Sequence, residues 1–518
     1  MSEAMRETVA TVGATNSYNA TVDLLERNLA SGRAEHAYLR VEDRDFSYQE
    51  VAAAADAAGA GLRELGLERG DRVIVAMRDR PEFVFAFWGA IKAGLVPVPI
   101  AQGLSSSDIQ FMLSDSGARA VLCDTSSAPV VMPAVVETGA TALVAGGRVD
   151  GARAWEDVCG GAASLAAADT AAEDIALWLY TSGTTGLPKA VMHRHRHLRW
   201  APNGLAAQVL QIEADDVVLS VSKMFFAYGL GNSIYLPASA GATVVLNEAP
   251  VVPTLIQGLL NRARPTLMFG VPAFFSGFSR LGEAELPDTV RRVVSAGEAL
   301  SVELFEAFLE RFGIPILDGL GSTEAMHHVT SNRVDDLVPG SAGPALDGFE
   351  VKALDRDQEP VAEGESGELW VRGPTTFAGY WRRPELTARA FADGWMRTGD
   401  LVRVVEGRVY HEGRLDDLIK LGGVWVAPAE IEDVLRSHEA VTEVAVVAID
   451  EETGVPVLKA FVVADRRDDE LRRELARLCR RRLASFKVPQ VIELVDELPR
   501  TPTGKLRRFV LRKRGRPA

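Results

Sequence analysis

Apolar residues along most of the chain recur with two periods, a helical one and an alternating one, that take turns. Thr21–Gly32 (TVDLLERNLASG) reads as an amphipathic helix, and Ala37–Val51 (AYLRVEDRDFSYQEV) alternates like a short hairpin leading into a helix. The Ala-rich stretch from Val51 to Leu67 keeps its leucines on one stripe, and Gly70–Asp79 follows as turn and strand. Pro81–Gly94 (PEFVFAFWGAIKAG) reads as a helix that runs into the strand Val96–Ile100. Short apolar runs bounded by turns or helical segments continue through ARAVLCD, TALVAG, DIALWLYTSG, DDVVLSVS, ATVVLN, PTLMFGV, RRVVSAGE and PILDGLG. This alternation predicts α/β layers with mostly parallel sheets. From about Gly343 the texture becomes GFEVKALD, SGELWVRG and GRVYHEG, short alternating strands of a β-rich subdomain. Past Arg414 and Asp416 comes a compact α+β tail: helix AEIEDVLRSH, strands VTEVAVVAID and VLKAFVVAD, helix DELRRELARLCRRRL and strand VIELVD. Residues before about Asn16 are expected to be loosely ordered.

At 518 residues and 47% hydrophobic, the chain is too long for one core, and the length prior gives about three domain-sized units. Fifty-six basic and 71 acidic residues leave a formal charge of −15, which disfavours nucleic acid or an anionic membrane surface as the main partner. Cys123, Cys159 and Cys479 lie far apart with no CxxC spacing, which excludes a disulfide framework and a sequence-local zinc knuckle and points to a reducing, cytoplasmic setting. The first residues lack a secretory pattern, and no segment has the uninterrupted apolar length of a membrane span.

Candidate chemistry gathers in a few runs. After the apolar strand IALWLY comes Tyr180-Thr181-Ser182-Gly183-Thr184-Thr185-Gly186-Leu187-Pro188-Lys189. Its glycines let backbone N–H groups approach an anion, its hydroxyls add donors and Lys189 adds charge, a combination suited to a polyphosphate. It is not a Walker A loop, because Lys189 follows a proline and Ala190 stands where Ser or Thr is required. Leu320-Gly321-Ser322-Thr323-Glu324 ends the strand PILDG with a hydroxyl and a carboxylate, which could hold a Mg²⁺ or form an ordinary strand-end turn. Asp400 in WMRTGD and Arg414 in GRLDD have the chemistry to hold ribose hydroxyls and sugar or phosphate oxygens, or to form a surface ion pair. The rigid loop Pro499-Arg500-Thr501-Pro502-Thr503-Gly504-Lys505 presents one lysine, which in isolation reads as a solvated tail residue.

The order YTSGTTGLPK, GSTE, WMRTGD, GRLDDLIKLGG, PRTPTGK resembles the acyl-adenylating superfamily of acyl-CoA ligases, peptide-synthetase adenylation domains and luciferases, over nearly the whole chain. SKMFFAYGLGN, RPTLMFGVP, VSAGEAL and DGLGSTEAMHH look most like the benzoate-CoA ligase branch, which activates aryl carboxylic acids. The resemblance implies an N-terminal adenylate-forming domain over 1–413, a hinge at 414–416 with Asp416 as its pivot, and a mobile C-terminal domain over 417–518. It further implies ATP, Mg²⁺ and CoA as reactants. Thr181, Ser182, Gly183, Thr184 and Thr185 would wrap the β- and γ-phosphates, with Lys189 supporting the loop. Glu324, with Thr184 nearby, would serve Mg²⁺, and Thr323 would belong to the ATP site. Gly297, Glu298, Ala299, Asp318 and Gly319 would line adenine, Asp400 and Arg414 would hold the ribose, and Lys505 would bridge the carboxylate and the α-phosphate. Phe226, Ala227, Tyr228, Gly229, Gly321 and His327 would form the acid pocket, although Phe226 and Tyr228 suit a plain core equally well. Gly422, Gly423 and Trp425 would pass the pantetheine arm of CoA.

Two departures from the family pattern stand in the nucleotide motifs: Ala190 follows Lys189 where glycine is usual, and Leu320 replaces an aromatic that stacks on adenine. His327, His328 and Thr330 make the pocket edge more polar than a plain benzoate requires, which hints at a hydroxyl or amino substituent. Nitrite activation for diazotising an aryl amine, or loading of a carrier-protein thiol, are alternatives on the same fold. His193, His195 and His197 invite a metal reading, but on a helix only His193 and His197 share a face and no third ligand is evident. The arginine run in ELRRELARLCRRRL reads as a solvated helix face or as a surface for CoA phosphates.

Overall fold

The computed structural model describes residues 17–42, 44–181, 188–421, 424–450, 456–500 and 506–514. It has a large N-terminal domain of mixed α/β layers and a small α+β C-terminal domain. One parallel sheet runs Val96–Pro99, Arg72–Ala76, Ala120–Asp124, Thr141–Ala145, Arg153–Ala154. A second, eight-stranded sheet runs His328–Ser331, Ile316–Gly321, Arg292–Ser295, Leu267–Gly270, Val217–Ser220, Thr243–Val245, Ala37–Val41, Arg44–Ser47. Its interior pairs are parallel, and its two outermost pairs are antiparallel.

The helices between the sheets follow from local chemistry. Ser47 caps the helix Tyr48–Glu64 in a reciprocal box with Glu50, satisfying two orphan donors. That helix crosses Pro81–Lys92 so closely that a Cβ on Gly59 would stand 2.5 Å from the Gly89 carbonyl oxygen, and one on Gly89 would stand 2.4 Å from that of Ala55. The alanines and glycines of VAAAADAAGAGL thus read as a contact face. Lys92, buried at the end of the crossing, is neutralised by Glu26 and Asp56.

Smaller sheets complete the architecture. Ile175–Thr181, Lys189–Arg194 and Gly379–Tyr380 form an antiparallel trio. The expected β-rich subdomain is the sheet of Glu350–Leu354, Ser366–Arg372, Trp395–Val405, Phe391–Ala392 and Arg408–Arg414. In the C-terminal domain, Val441–Asp450, Pro456–Ala464 and Val491–Leu494 carry the helices Pro428–Arg436, Asp469–Arg482 and Arg508–Arg514. The arginine run lies on Asp469–Arg482 with Arg473, Arg477, Arg480 and Arg481 exposed and Leu471, Leu475, Leu478 and Cys479 buried.

The histidine reading is corrected. His193 lies on the strand Lys189–Arg194, and the helix starts only at His195, so His193 and His197 meet across a strand-to-helix junction. Among the described residues no group of three or more His, Cys, Asp or Glu is placed to hold a metal, and no helix is long and apolar enough to cross a membrane.

Candidate functional site

Thr181 and Lys189 face each other in register across the hairpin whose turn, with Ser182, Gly183, Thr184 and Thr185, lies outside the described residues. Pairing to the short strand Gly379–Tyr380 brings Tyr380 opposite Val191 and beneath Lys189. The Lys189 ammonium donates to the Tyr380 hydroxyl at 2.7 Å and lies 3.9 Å from its ring centroid. The same hydroxyl donates to Glu324 Oε1 at 2.8 Å, and Lys189 Nζ lies 3.6 Å from that oxygen. A phenol between a cation and a carboxylate ties the lysine of the hairpin to the carboxylate of the GSTE run, some 130 residues on. Burial, then the Glu324 charge and hydrogen bond, push the Tyr380 pKa far up, so it stays a donor.

The GSTE run follows the strand Ile316–Gly321. Its backbone is held from both sides: Phe377 N–H donates to the Glu324 carbonyl at 2.8 Å, and His193 Nε2 lies 2.8 Å from the Thr323 carbonyl. His193 is buried, which lowers its pKa to about 4, so it is a neutral donor to that carbonyl. Upstream on the strand, Asp318 is buried, with Oδ1 lacking a hydrogen-bond partner. Burial raises its pKa to about 8 against the smaller opposing effect of the Leu300 and Gly319 amides and the Ser295 hydroxyl. In the turn after the neighbouring strand Arg292–Ser295, Gly297 takes φ +93°, and Glu298 and Ala299 are exposed beside it.

In the β-rich sheet, Asp400 and Arg414 are register partners. Arg414 Nη1 donates to Asp400 Oδ1 at 2.8 Å, and His411 Nε2 lies 3.5 Å from the same oxygen. Burial alone would raise the Asp400 pKa; His411 and Arg414 together outweigh it and hold the carboxylate ionised. Arg414 also acts electrostatically on Tyr380, so this pair borders the Lys189, Tyr380 and Glu324 cluster.

The aromatic wall lies behind the same strand ends. Phe226 precedes the short helix Ala227–Leu230, its ring centroid 4.5 Å from that of Phe225. The Tyr228 hydroxyl donates to the Val294 carbonyl at 3.2 Å, while its ring lies 5.6 Å from His327 and 5.5 Å from His328. Gly229 serves packing: a Cβ there would stand 2.1 Å from the Lys223 carbonyl oxygen. Gly321 is exposed, its Cβ direction closed by the His327 carbonyl at 2.3 Å.

Several contributors were not singled out from sequence. Tyr380, Asn232, Lys223 and Asp79 are among them, and their motifs carry no spacing signal. Lys223 donates to the carbonyls of Asn247 and Ala249 at 2.6 and 2.9 Å, and Met224 N–H donates to buried Asp79 at 3.1 Å, bracing the loop that carries Phe226 and Tyr228. Asp416 is the central residue of the turn Leu415–Asp417, and Trp425 is the register partner of Lys420 across the strands Ile419–Leu421 and Val424–Val426. Gly422, Gly423 and Lys505 lie outside the described residues.

Comparison with known proteins bears on what this arrangement does. The model of the AMP-binding enzyme family matches residues 25–381, and that of the AMP-binding enzyme C-terminal domain matches residues 430–505. Benzoate–CoA ligase of Thauera aromatica is 38% identical over 507 residues, covering 96% of each chain. An anthranilate CoA ligase solved in complex with anthranoyl-AMP superposes with a TM-score of 0.91 at 33% identity, over 96% of this chain and 97% of that one. A benzoate CoA ligase from Burkholderia xenovorans gives 0.89 at 35% identity, over 96% of this chain and 100% of that one.

Proposed function

The chain belongs to the AMP-binding enzyme family, within the acyl-adenylating superfamily, and from that premise we propose that it is an AMP-forming aryl acid–CoA ligase. It activates an aryl carboxylic acid with ATP as an acyl-AMP, releases pyrophosphate and transfers the acyl group to the thiol of CoA. The observation that carries this reading is the convergence at the ends of the strands Ile316–Gly321 and Lys189–Arg194. There a cation and a carboxylate joined through Tyr380, the Asp400–Arg414 pair, and an aromatic wall come together.

Within this reading the phosphate run Thr181–Thr185 holds the β- and γ-phosphates and Lys189 supports it. Gly297, Glu298, Ala299, Asp318 and Gly319 line adenine, and Asp400 with Arg414 receives the ribose. Glu324 offers a hard carboxylate oxygen already oriented by the Tyr380 hydroxyl, a donor suited to Mg²⁺, which it would hold with Thr184, close to Thr323. Bound there, the ion would offset phosphate charge. Lys505 bridges the attacking carboxylate and the α-phosphate, stabilising the charge that develops as the anions meet. The acid lies against Phe226, Ala227, Tyr228, Gly229, Gly321 and His327. After adenylation the domain beyond Asp416 turns, and Gly422, Gly423 and Trp425 admit the pantetheine arm. The three cysteines are free and buried, which agrees with a cytoplasmic setting.

The test is Lys505→Ala with ATP–pyrophosphate exchange. Exchange is expected to fall by on the order of 100-fold or more while ATP still binds, and near wild-type exchange would refute the assignment. Incubation with ATP, Mg²⁺, an aminobenzoate and either CoA or nitrite reads the second step. A thioester supports the ligase, and a diazo product without thioester replaces it by nitrite activation. Acyl transfer only to a carrier-protein thiol assigns carrier loading.

A further inference from the structure

One carboxylate from a neighbouring layer holds both segments that build the phosphate end of the site. Asp115 lies in the last turn of the helix Ser106–Ser116, whose Ile109, Met112 and Leu113 share a core with Val98 and Val121 of the parallel sheet. The Tyr180 hydroxyl donates to Asp115 Oδ2 at 2.9 Å, closer than its other acceptor, the Met112 carbonyl at 3.4 Å. Arg383 Nη2 donates to Asp115 Oδ1 at 3.2 Å, and the Trp381 indole donates to the Asp115 carbonyl at 2.9 Å. The Asp115 side chain is only 9% exposed. Burial, then the Asp115 charge and hydrogen bond, push the Tyr180 pKa far up against the smaller opposing effects of the Ser116 hydroxyl and Arg383, so the phenol stays a donor.

Each of these partners adjoins the site. Tyr180 immediately precedes Thr181, where the phosphate run begins, and is the register partner of Ala190, next to Lys189. Trp381 and Arg383 follow Tyr380 directly, and Trp381 N–H donates to the Ala190 carbonyl at 3.0 Å. Trp178 and Trp381 pack between the two segments, their ring centroids 4.6 Å apart. The helix itself gains nothing from an acid in its last turn, where the dipole repels negative charge. Its end is already met by Arg72, whose Nε donates to the Ser116 carbonyl at 2.7 Å.

We propose that Asp115 is a positioning residue for ATP. By holding Tyr180 and Arg383 on one carboxylate, it fixes the start of the phosphate run relative to the cluster of Lys189, Tyr380 and Glu324. The inference rests on the AMP-forming reading above and extends it to a residue that touches no substrate. Phe226, Tyr228 and His327 lie on segments that follow strands of the eight-stranded sheet, so the effect is confined to the nucleotide.

The experiment measures kcat, KM for ATP and KM for the acid by ATP–pyrophosphate exchange, together with Tm. Benzoate, 4-hydroxybenzoate and 2-aminobenzoate are tried, and the acid that wild type exchanges fastest is used. The proteins are wild type, Asp115→Ala, Asp115→Asn, Tyr180→Phe and the double variant Asp115→Ala/Tyr180→Phe. Asp115→Ala should raise KM for ATP by about 10-fold or more, the scale of a displaced positioning group. KM for the acid should stay within about 2-fold, as for a site that does not share the contact. Asp115→Asn keeps an acceptor for the phenol but loses the charge facing Arg383, so it should fall between wild type and Asp115→Ala. Tyr180→Phe should add little to Asp115→Ala, because the two act through one bond. An unchanged KM for ATP in Asp115→Ala overturns the proposal. So does an equal rise in both KM values with a lowered Tm, which would make Asp115 a packing residue only. If Asp115→Ala does not fold, Asp115→Asn and Tyr180→Phe decide by the same split. Absence of exchange by wild type with all three acids removes the adenylation reading itself, an outcome distinct from exchange with an unmoved KM for ATP.

Discussion

Replacing Asp318 by asparagine should stabilise the ligand-free protein, and increasingly so as the pH rises. Asp318 sits buried at the end of a core strand with one carboxyl oxygen unpartnered, and burial raises its pKa from 3.8 to about 8. In the unfolded chain it ionises near pH 4, so between about pH 4 and 8 the native state holds one more proton than the unfolded state at this position. The sign follows: its contribution to stability falls as pH rises, by about 1.4 kcal/mol per pH unit. From pH 5 to pH 7 that is about 2.7 kcal/mol, and at pH 7 the accumulated cost is about 4 kcal/mol. Asparagine keeps the shape and cannot ionise, so the difference between variant and wild type should widen by about 2.7 kcal/mol over those two units. With an unfolding entropy of about 2.1 cal/mol/K per residue, a domain of roughly 400 residues moves about 1 °C per kcal/mol, so the Tm difference should grow by about 3 °C. Thermal unfolding of both proteins at pH 5, 6, 7 and 8 without nucleotide reads this directly. Every other titrating group is common to the pair and cancels in the difference. A Tm difference that is flat with pH, or that favours wild type increasingly toward pH 8, would refute the argument that this carboxyl is protonated in the fold.

Two further outcomes follow from the site and its hinge. Tyr380→Phe removes the hydroxyl between Lys189 and Glu324 and two charge-assisted hydrogen bonds; pyrophosphate exchange should fall by about 10-fold or more with Tm changed little, whereas unchanged exchange would show that the lysine and carboxylate align without it. Arg508→Ala strips the guanidinium from Glu432, which is buried beneath the C-terminal helix, and leaves Asp417 beside the hinge with Arg512 as its ion-pair partner. The C-terminal domain should lose about 3–5 kcal/mol, seen as early proteolysis of that domain while residues 25–381 stay protected.

The layered architecture was legible because burial writes its period into the chain. The strands Arg72–Ala76 and Leu267–Gly270 are buried along almost their whole length and are continuous apolar runs, whereas Ser366–Arg372 in the β-rich sheet is buried from Gly367 through Val371, so that sheet was legible from its short strands and intervening turn residues and not from a clean alternation. The histidine run was misread because two spacings compete there. MHRHRHL fits a helix as written, yet pairing of Lys189–Arg194 with Ile175–Thr181 extends the strand through His193, and a ladder formed with a distant partner leaves no local signature. Gly229 illustrates another limit: its place in an aromatic motif suggested a pocket wall, and only the structure adds the Lys223 carbonyl against its Cβ direction, a packing demand for glycine beside that role.

By itself the sequence determined the fold class, the family and the order of the nucleotide motifs, since each is a matter of local period or of short runs read along the chain. Tertiary structure alone decided which side chains act together. Lys189, Glu324 and Tyr380 are joined only because the short strand Gly379–Tyr380 adds to a hairpin almost 190 residues earlier. Hydrogen bonds have direction and long-range pairing has geometry, and neither is written in the residues that flank them.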